Sequence, residues 1–473
     1  MSAHFERYKE IIDDWSAFTD AVERPLPTTI WANPLKITAD ELEQRLQAQG
    51  ITPEPIHWIE GGFRLPTVAQ PGLLWEYMAG LFHVQEEVSM LPIKLLDVQP
   101  HHTVLDMCAA PGNKTAQIAI EMQNKGTIVA NDRSVGRLKA SRQIFNRLGL
   151  VNITMFSHDA SNLPKSMGQF DRILADVPCT CEGTCRKTPH VVTRASKSSS
   201  TKMARIQKAI LQKAVQLCKV DGKILYSTCT FAPEENEAVL QEIIDLMPDR
   251  VRILPVHIEG FVTTSGLSEW NGRIFDPSIA NALRVWPHHN DTGGFFMALI
   301  EKVSSSQPSI VADEQPAAQS PQEEREPWVG NLCARFGFAA DIFTEYDILR
   351  MSKRGPHFVN KDHQIINKPA PDSVGMLFMR TDGRFPKLTT AASLIFGQHA
   401  TRNHIEIDAE QATAFFTRQT FPVSDAQIHN CTGTGYVILH YKNRTVGVGT
   451  FHAKSQSIES SFPKGWVRKN VIV

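Results

Sequence analysis

At 473 residues the chain is too long for one hydrophobic core and should divide into two or three domains. Its 42% hydrophobic and 21% charged residues exclude a disordered or fibrous chain. No apolar run is long enough to cross a bilayer, and the opening MSAHFERYKEIIDDW lacks the apolar stretch of a secretory signal, so a cytoplasmic location is expected. A net charge of −1 gives no global pull toward polyanions, and eight cysteines spread from Cys108 to Cys431 fit thiol chemistry in a reducing compartment better than a disulfide scaffold.

Residues 1–97 mix helical periodicity with proline breaks and read as an accessory lobe. Within it Thr38–Gln49 has a Thr start, early acids and a stop at Gly50, the marks of a short amphipathic helix. Leu73–Leu91 reads as a further helical or partly helical stretch ended by Pro92. From Thr103 the pattern alternates. Strands are expected at Thr103–Met107, Thr127–Asn131, Ile153–Phe156, Phe170–Ala175 and Lys223–Ser227, with helices at Lys114–Met122, Val135–Leu148, Lys202–Cys218 and Pro233–Leu246. This is the signature of an α/β fold with a parallel, doubly wound sheet, and Gly294–Ile300 is a late strand that closes it. The Ser-, Pro- and Gln-rich segment 304–327 has little to bury and reads as a flexible linker. Beyond it, 328–473 is long enough for a small domain, with a hairpin of Tyr436–Tyr441 and Thr445–Phe451.

Three of these strands deliver chemistry to one edge of the sheet, the edge at which open α/β folds bind ligands. The first is followed by a glycine-bearing turn and a helix start (DMCAAPGNKT), and Asp132 ends the next strand, where doubly wound folds place an acid on ribose hydroxyls; together they point to an adenosine-containing cofactor. The other two end in cysteines, Cys179 in ADVPCTCEGTCRK and Cys229 in YSTCTFAPEENE. A lone buried cysteine is ordinarily a small hydrophobe; two at one edge beside a cofactor turn point to a site. Cys179, Cys181 and Cys185 with His190 have an irregular spacing for structural zinc, and no metal is expected.

These motifs, with LRVWPHHNDTGGFFMA (Leu283–Ala298), resemble successive signatures of the NOL1/NOP2/Sun (RsmB/NOP) family of S-adenosylmethionine-dependent RNA cytosine-C5 methyltransferases. The resemblance spans Gln85–Val303 and, more faintly, Pro25–Lys36. It implies a Rossmann-like class I methyltransferase domain over 98–303. It further implies S-adenosylmethionine as cofactor, held by Cys108, Ala109, Ala110, Pro111, Gly112, Asn113, Lys114, Asp132, Arg137, Asp159 and Asp176. By the same resemblance Cys229 is the nucleophile, Cys179 the thiol that helps release product, and Asp176 an acid beside the cytosine. The chain departs from the family pattern at Cys181, where glycine is usual, and at Trp31 in WANPLK (Trp31–Lys36), where arginine is usual.

The expected partner is RNA, ribosomal or transfer, bound by a monomer with no membrane association. Nine Lys or Arg residues between Arg186 and Lys219, with no acid among them (Arg186, Lys187, Arg194, Lys197, Lys202, Arg205, Lys208, Lys213 and Lys219), support phosphate contacts beside the cysteine loop. Met203, Ile206, Ile210, Ala214 and Leu217 would form the buried stripe of that helix. The segment 328–473, with its basic close FPKGWVRK, is similar to PUA-like RNA-binding modules, and the 1–97 lobe would contact RNA as well. Two rivals stand: a catalytically idle RNA-binding factor of ribosome or tRNA maturation, and a cysteine hydrolase, for which no histidine is placed.

Overall fold

The computed structural model describes residues 4–304, 322–352, 355–381 and 387–473. The apolar runs between residues 103 and 302 supply nine of the ten strands of one central sheet: β1 (Thr103–Asp106), β2 (Thr127–Asn131), β3 (Ile153–Phe156), β4 (Phe170–Asp176), β5 (Cys218–Thr228), β6 (Val251–Leu254), β7 (Thr264–Ser265), β8 (Leu283–Val285) and β9 (Phe295–Lys302). The tenth is β10 (Ser373–Val374). The order is β7-β8-β9-β5-β4-β1-β2-β3-β10, with β6 beside β9. Strands β1 to β5 run parallel, and β9 closes the far side antiparallel to β5. The chain leaves β1 toward β2 and β3 and returns on the other side as β4, so a crevice opens at the carboxyl ends of β1 and β4.

Neighbouring residues along each strand face opposite layers. Val104, Ile128, Leu174 and Leu225 pack with α1 (Asn113–Glu121) and α2 (Val135–Leu148) in one core. Leu105, Val129, Ile173 and Ile224 pack with α3 (Lys197–Leu217) and α4 (Glu237–Leu246) in the other. The stripe expected on α3 is turned slightly: Ile206 is exposed, whereas Gln207 is buried beside Ile210, Leu211 and Ala214.

Leu73–Leu91 is not a single helix. It breaks into a turn of helix at Trp75–Met78, a left-handed Gly80 and a strand at Phe82–Val84, because that strand pairs with Thr28–Ala32 in a four-stranded sheet. Pro92 does not end a helix but sits in the first turn of the helix Leu91–Leu96, where its missing N–H costs nothing.

The linker reading of 304–327 falls largely on 305–321, outside the described residues; Gln322–Pro327 open a helix that runs to Phe336. The expected hairpin forms as Gly435–Tyr441 and Arg444–His452, turning on Lys442 and Asn443, both at positive φ as a two-residue hairpin turn requires. Its domain is not set apart from the rest. Trp75, Phe82, Ile30 and Phe63 of the amino-terminal lobe share one core with Tyr441, Val437, Phe415 and Trp466. The Trp75 and Tyr441 rings meet edge to face at 5.1 Å, Arg444 binds Glu41, and β10 extends the central sheet at β3.

Removing 304–473 therefore strips half of a shared core and bares the β3 edge. The fragment 1–303 is expected to aggregate or to unfold well below the full chain; size-exclusion chromatography and thermal unfolding check this.

Candidate active site

β1 ends in Asp106, whose buried carboxylate accepts the Thr115 hydroxyl at 2.6 Å; burial pushes its carboxyl up to about 7. The chain then turns through Cys108, Ala109, Ala110, Pro111 and Gly112. Gly112 lies at φ 108, and a Cβ there would meet Ser141 at 2.9 Å, so only glycine lets the turn lie against α2. The turn is held by the end of β2: Ala109 N–H donates to the Asn131 carbonyl at 2.7 Å, and Ala110 N–H to Asp132 Oδ2 at 3.2 Å. Asp132 also accepts Ser134 N–H at 2.9 Å and pairs with Arg137 at 3.2 Å; the Arg137 guanidinium bonds the Ala110 carbonyl as well. Cys108 is a different matter from a reactive thiol, because burial, with Asp106 beside it, pushes its thiol well up.

α1 begins at Asn113 and sends Lys114 across the crevice, where its ammonium bonds Asp176 Oδ2 at 2.8 Å. Burial opposes that charge, but Asp176 outweighs it and the pKa of Lys114 is raised. The other oxygen of Asp176 accepts the Ser227 hydroxyl at 2.8 Å. Beyond these two strand ends the cysteines meet: Cys179 Sγ lies 3.3 Å from Cys229 Sγ and 3.8 Å from Cys181 Sγ. Cys181, where the resembled family has glycine, takes φ 61, a glycine-like backbone. In so tight a cluster one thiolate is favoured by the remaining S–H donors and a second is opposed. Hydrogen bonds from Cys179 and Cys229 hold the Cys181 thiol well below the usual thiol range. Cys179 is pushed well up by its bonds to Cys181 and Cys229, and in Cys229 the bond from Cys179 is outweighed by Cys181 and burial.

The loops are fixed by a buried polar shell that the sequence reading missed. Gly183 N–H donates to the Cys229 carbonyl at 2.9 Å, tying loop to loop. Glu235 accepts Thr180 N–H, the Thr180 hydroxyl and the Gln207 amide at 3.0, 2.6 and 2.8 Å, and Gln207 also bonds the Pro178 carbonyl. Glu182 accepts the Tyr8 and Thr230 hydroxyls, each at 2.8 Å, so the helical turn Glu6–Ile11 braces the site. Arg284 grips Glu237 through two bonds of 2.6 and 2.5 Å, both side chains being buried. The one signal was that Thr180, Glu182, Thr230, Glu235, Glu237 and Arg284 sit inside the quoted motifs; Gln207 lies outside them.

Asp159 is exposed and caps its own turn through Ser161 at 2.9 Å. Cys185 is buried among Phe5, Phe18 and Trp286, and His190 is exposed; neither belongs to the thiol cluster. Arg186 is fully buried against Asp291 at 2.7 Å, while Lys208 and Lys219 pair with Glu242 and Asp171; Lys187, Lys197, Lys202 and Arg205 are exposed. The Trp31–Lys36 segment is a clamp: Trp31 is buried and bonds Gln85, Asn33 bonds the carbonyls of Gly80 and Leu148, and Lys36 those of Ala79 and Arg147.

Comparison with known proteins matches this arrangement along most of the chain. Residues 2–87 match the N-terminal domain of 16S rRNA methyltransferase RsmF, 93–301 the 16S rRNA methyltransferase RsmB/F family, and 402–468 the methyltransferase RsmF PUA domain. The chain is similar to ribosomal RNA small subunit methyltransferase F of Aeromonas salmonicida (strain A449), with 30% identity over 96% of this chain and 93% of that one. It is also similar to the 28S rRNA (cytosine-C(5))-methyltransferase of Mus musculus, with 35% identity over 64% of this chain and 38% of that protein. Among solved structures, a methyltransferase homologue from Pyrococcus horikoshii superposes with a TM-score of 0.55 at 31% identity, covering 63% of this chain and 99% of its own.

Breaking the buried Arg284–Glu237 pair from one side leaves an uncompensated charge. Arg284→Leu is expected to cost about 3–5 kcal/mol in chemical denaturation, and adding Glu237→Leu to recover most of it.

Proposed function

Since the chain belongs to the RsmB/F family of ribosomal RNA methyltransferases, we propose that it transfers a methyl group from S-adenosylmethionine to carbon 5 of a cytosine in small-subunit ribosomal RNA. The observation that carries this reading is the meeting of Cys179 and Cys229, 3.3 Å apart, beside Asp176 and Lys114 at the switch point of the sheet.

S-adenosylmethionine, when bound, supplies a methyl group on a cationic sulfur. The residues fit such a ligand. Asp132 is 5% exposed, but its partner Arg137 is 57% exposed, so ribose hydroxyls can take the guanidinium's place on the carboxylate. Cys108 to Lys114 offer a backbone turn and helix start to the rest, with Asp176 at its border. Asp159, satisfied by Ser161, would join only by turning from its own loop.

Carbon 5 of cytosine is too poor a nucleophile to attack a sulfonium unaided. In this reading the one negative charge that the thiol cluster favours lies on Cys229 when the cytosine is bound; addition of that thiolate to carbon 6 makes carbon 5 electron-rich, and carbon 5 then takes the methyl group. The carbon-5 proton passes to a base, the role this reading gives Cys179, and the carbon–sulfur bond breaks to release Cys229 as the thiolate that attacked. Asp176, charge-balanced by Lys114, accommodates the proton or charge that develops on the ring. The target base reaches these thiols flipped or already unpaired. RNA is held in this reading by the exposed cations on and before α3 and by the PUA-like segment within 328–473, with the 1–97 lobe alongside.

Cys229→Ala is expected to abolish methyl transfer and form no covalent product. Cys179→Ala should attack and transfer yet fail to eliminate, leaving an RNA-linked species in denaturing electrophoresis that the double variant lacks. A reversed pattern would exchange the two roles. Asp132→Ala should weaken S-adenosylmethionine binding by roughly 1–3 kcal/mol in calorimetry, and unchanged binding would remove Asp132 from the site.

A further inference from the structure

The catalytic chemistry proposed above uses two thiols, and the structure brings together three. Cys179 Sγ is 3.3 Å from Cys229 Sγ and 3.8 Å from Cys181 Sγ, and all three sulfurs lie within 4.8 Å of one another. An ion bound tetrahedrally through thiolate bonds of about 2.3 Å holds its sulfurs about 3.8 Å apart, so a single ion can close on this cluster with shifts of about 1 Å or less. The third thiol is there at a cost. Cys181 adopts φ 61, which glycine takes freely and a side chain disfavours. That backbone turns the side chain back on its own loop, where Sγ also approaches the Cys179 carbonyl at 3.3 Å. All three cysteines are partly accessible rather than sealed in the core.

We propose that Cys179, Cys181 and Cys229 form a binding site for one soft, thiophilic cation of the zinc or copper(I) class, and that its occupation reversibly blocks the methyltransferase. Three thiolates favour such cations over magnesium or calcium, which take oxygen donors. Binding replaces water on the ion with up to three sulfur ligands and releases the corresponding thiol protons; no electrons are exchanged. Because the ion ties up the thiols assigned to attack and release, it and the target cytosine exclude each other. The blocking effect rests on the proposed function, whereas the binding does not.

The test uses the full chain, freed of metal and kept reduced. Zinc is titrated against a chromophoric chelator, cobalt(II) is followed by its thiolate charge-transfer absorption, and methyl transfer to ribosomal RNA is measured alongside. The expected result is one zinc per chain, cobalt bands from thiolate ligation, and inhibition that a chelator reverses. Cys181→Gly, which the left-handed backbone accepts, should bind zinc roughly tenfold or more weakly, with inhibition, read against the variant's own metal-free rate, shifted to match. Cys181→Ser should show the same weakening, which guards against a loop disturbed by glycine. Absence of stoichiometric binding, of thiolate bands, or of any difference between wild type and both variants overturns the site. Binding as expected in a protein that methylates no RNA even when metal-free upholds the metal site and overturns the functional reading instead.

Discussion

The arrangement of the site depends on the register between β4 and β5. These strands run parallel with Asp176 opposite Ser227, so the two loops that follow leave in the same direction from the same height. Asp176 then accepts from Ser227 across the pair, and Cys179 and Cys229 meet three and two residues further on. A slip of one residue would turn every side chain of the slipped strand to the opposite face. The register is held by burial on both faces, with Leu174 and Leu225 in one core and Ile173 and Ile224 in the other.

Register alone leaves two loops free to splay. The polar shell behind them supplies the second constraint. Glu235 and Gln207 hold Thr180 and Pro178, Glu182 holds Thr230, and Gly183 bonds the Cys229 carbonyl directly. Burial raises the pKa of both Glu235 and Glu182, so these carboxyls stay in place through hydrogen bonds and not through solvation. Gly183 in turn lies so close to Gly294 that a Cβ on it would meet the Gly294 carbonyl at 2.1 Å. The late DTGGFF motif thus acts as the floor of the cysteine loop.

Much of this was legible in the sequence because parallel strands buried on both faces read as short apolar runs. β2, β3 and α2 fall at the expected residues, and the meeting of Cys179 with Cys229 follows from the edge at which both strands end. What escaped was set by tertiary partners. Gln207 looks like a surface residue of a basic helix until Glu235 arrives beneath it. Arg186 looks like a phosphate contact, yet it is consumed by Asp291 and by the Arg24, Pro25 and Thr292 carbonyls. Phe82–Val84 is too short to announce itself as a strand and exists because Thr28–Ala32 pairs with it. The inclusion of Cys181 in the thiol cluster depends on a left-handed backbone that no composition signals.

The joining of the amino-terminal lobe to a distant segment of the chain has a bearing on how the protein is made. Trp75 N–H donates to the Ile472 carbonyl, and Ile472 N–H donates to the Leu73 carbonyl, so the amino-terminal lobe is completed by residues that lie far later in the chain. The central sheet from β1 to β9 can form while the ribosome is still translating, whereas the lobe before it must keep Trp75 and Phe82 uncovered until Tyr441 and Trp466 have emerged. Loop closure over so long a stretch is slow. The newborn chain therefore passes through a period in which the apolar face around Trp75 and Phe82 lies open, and that face closes only once the later segment has been made.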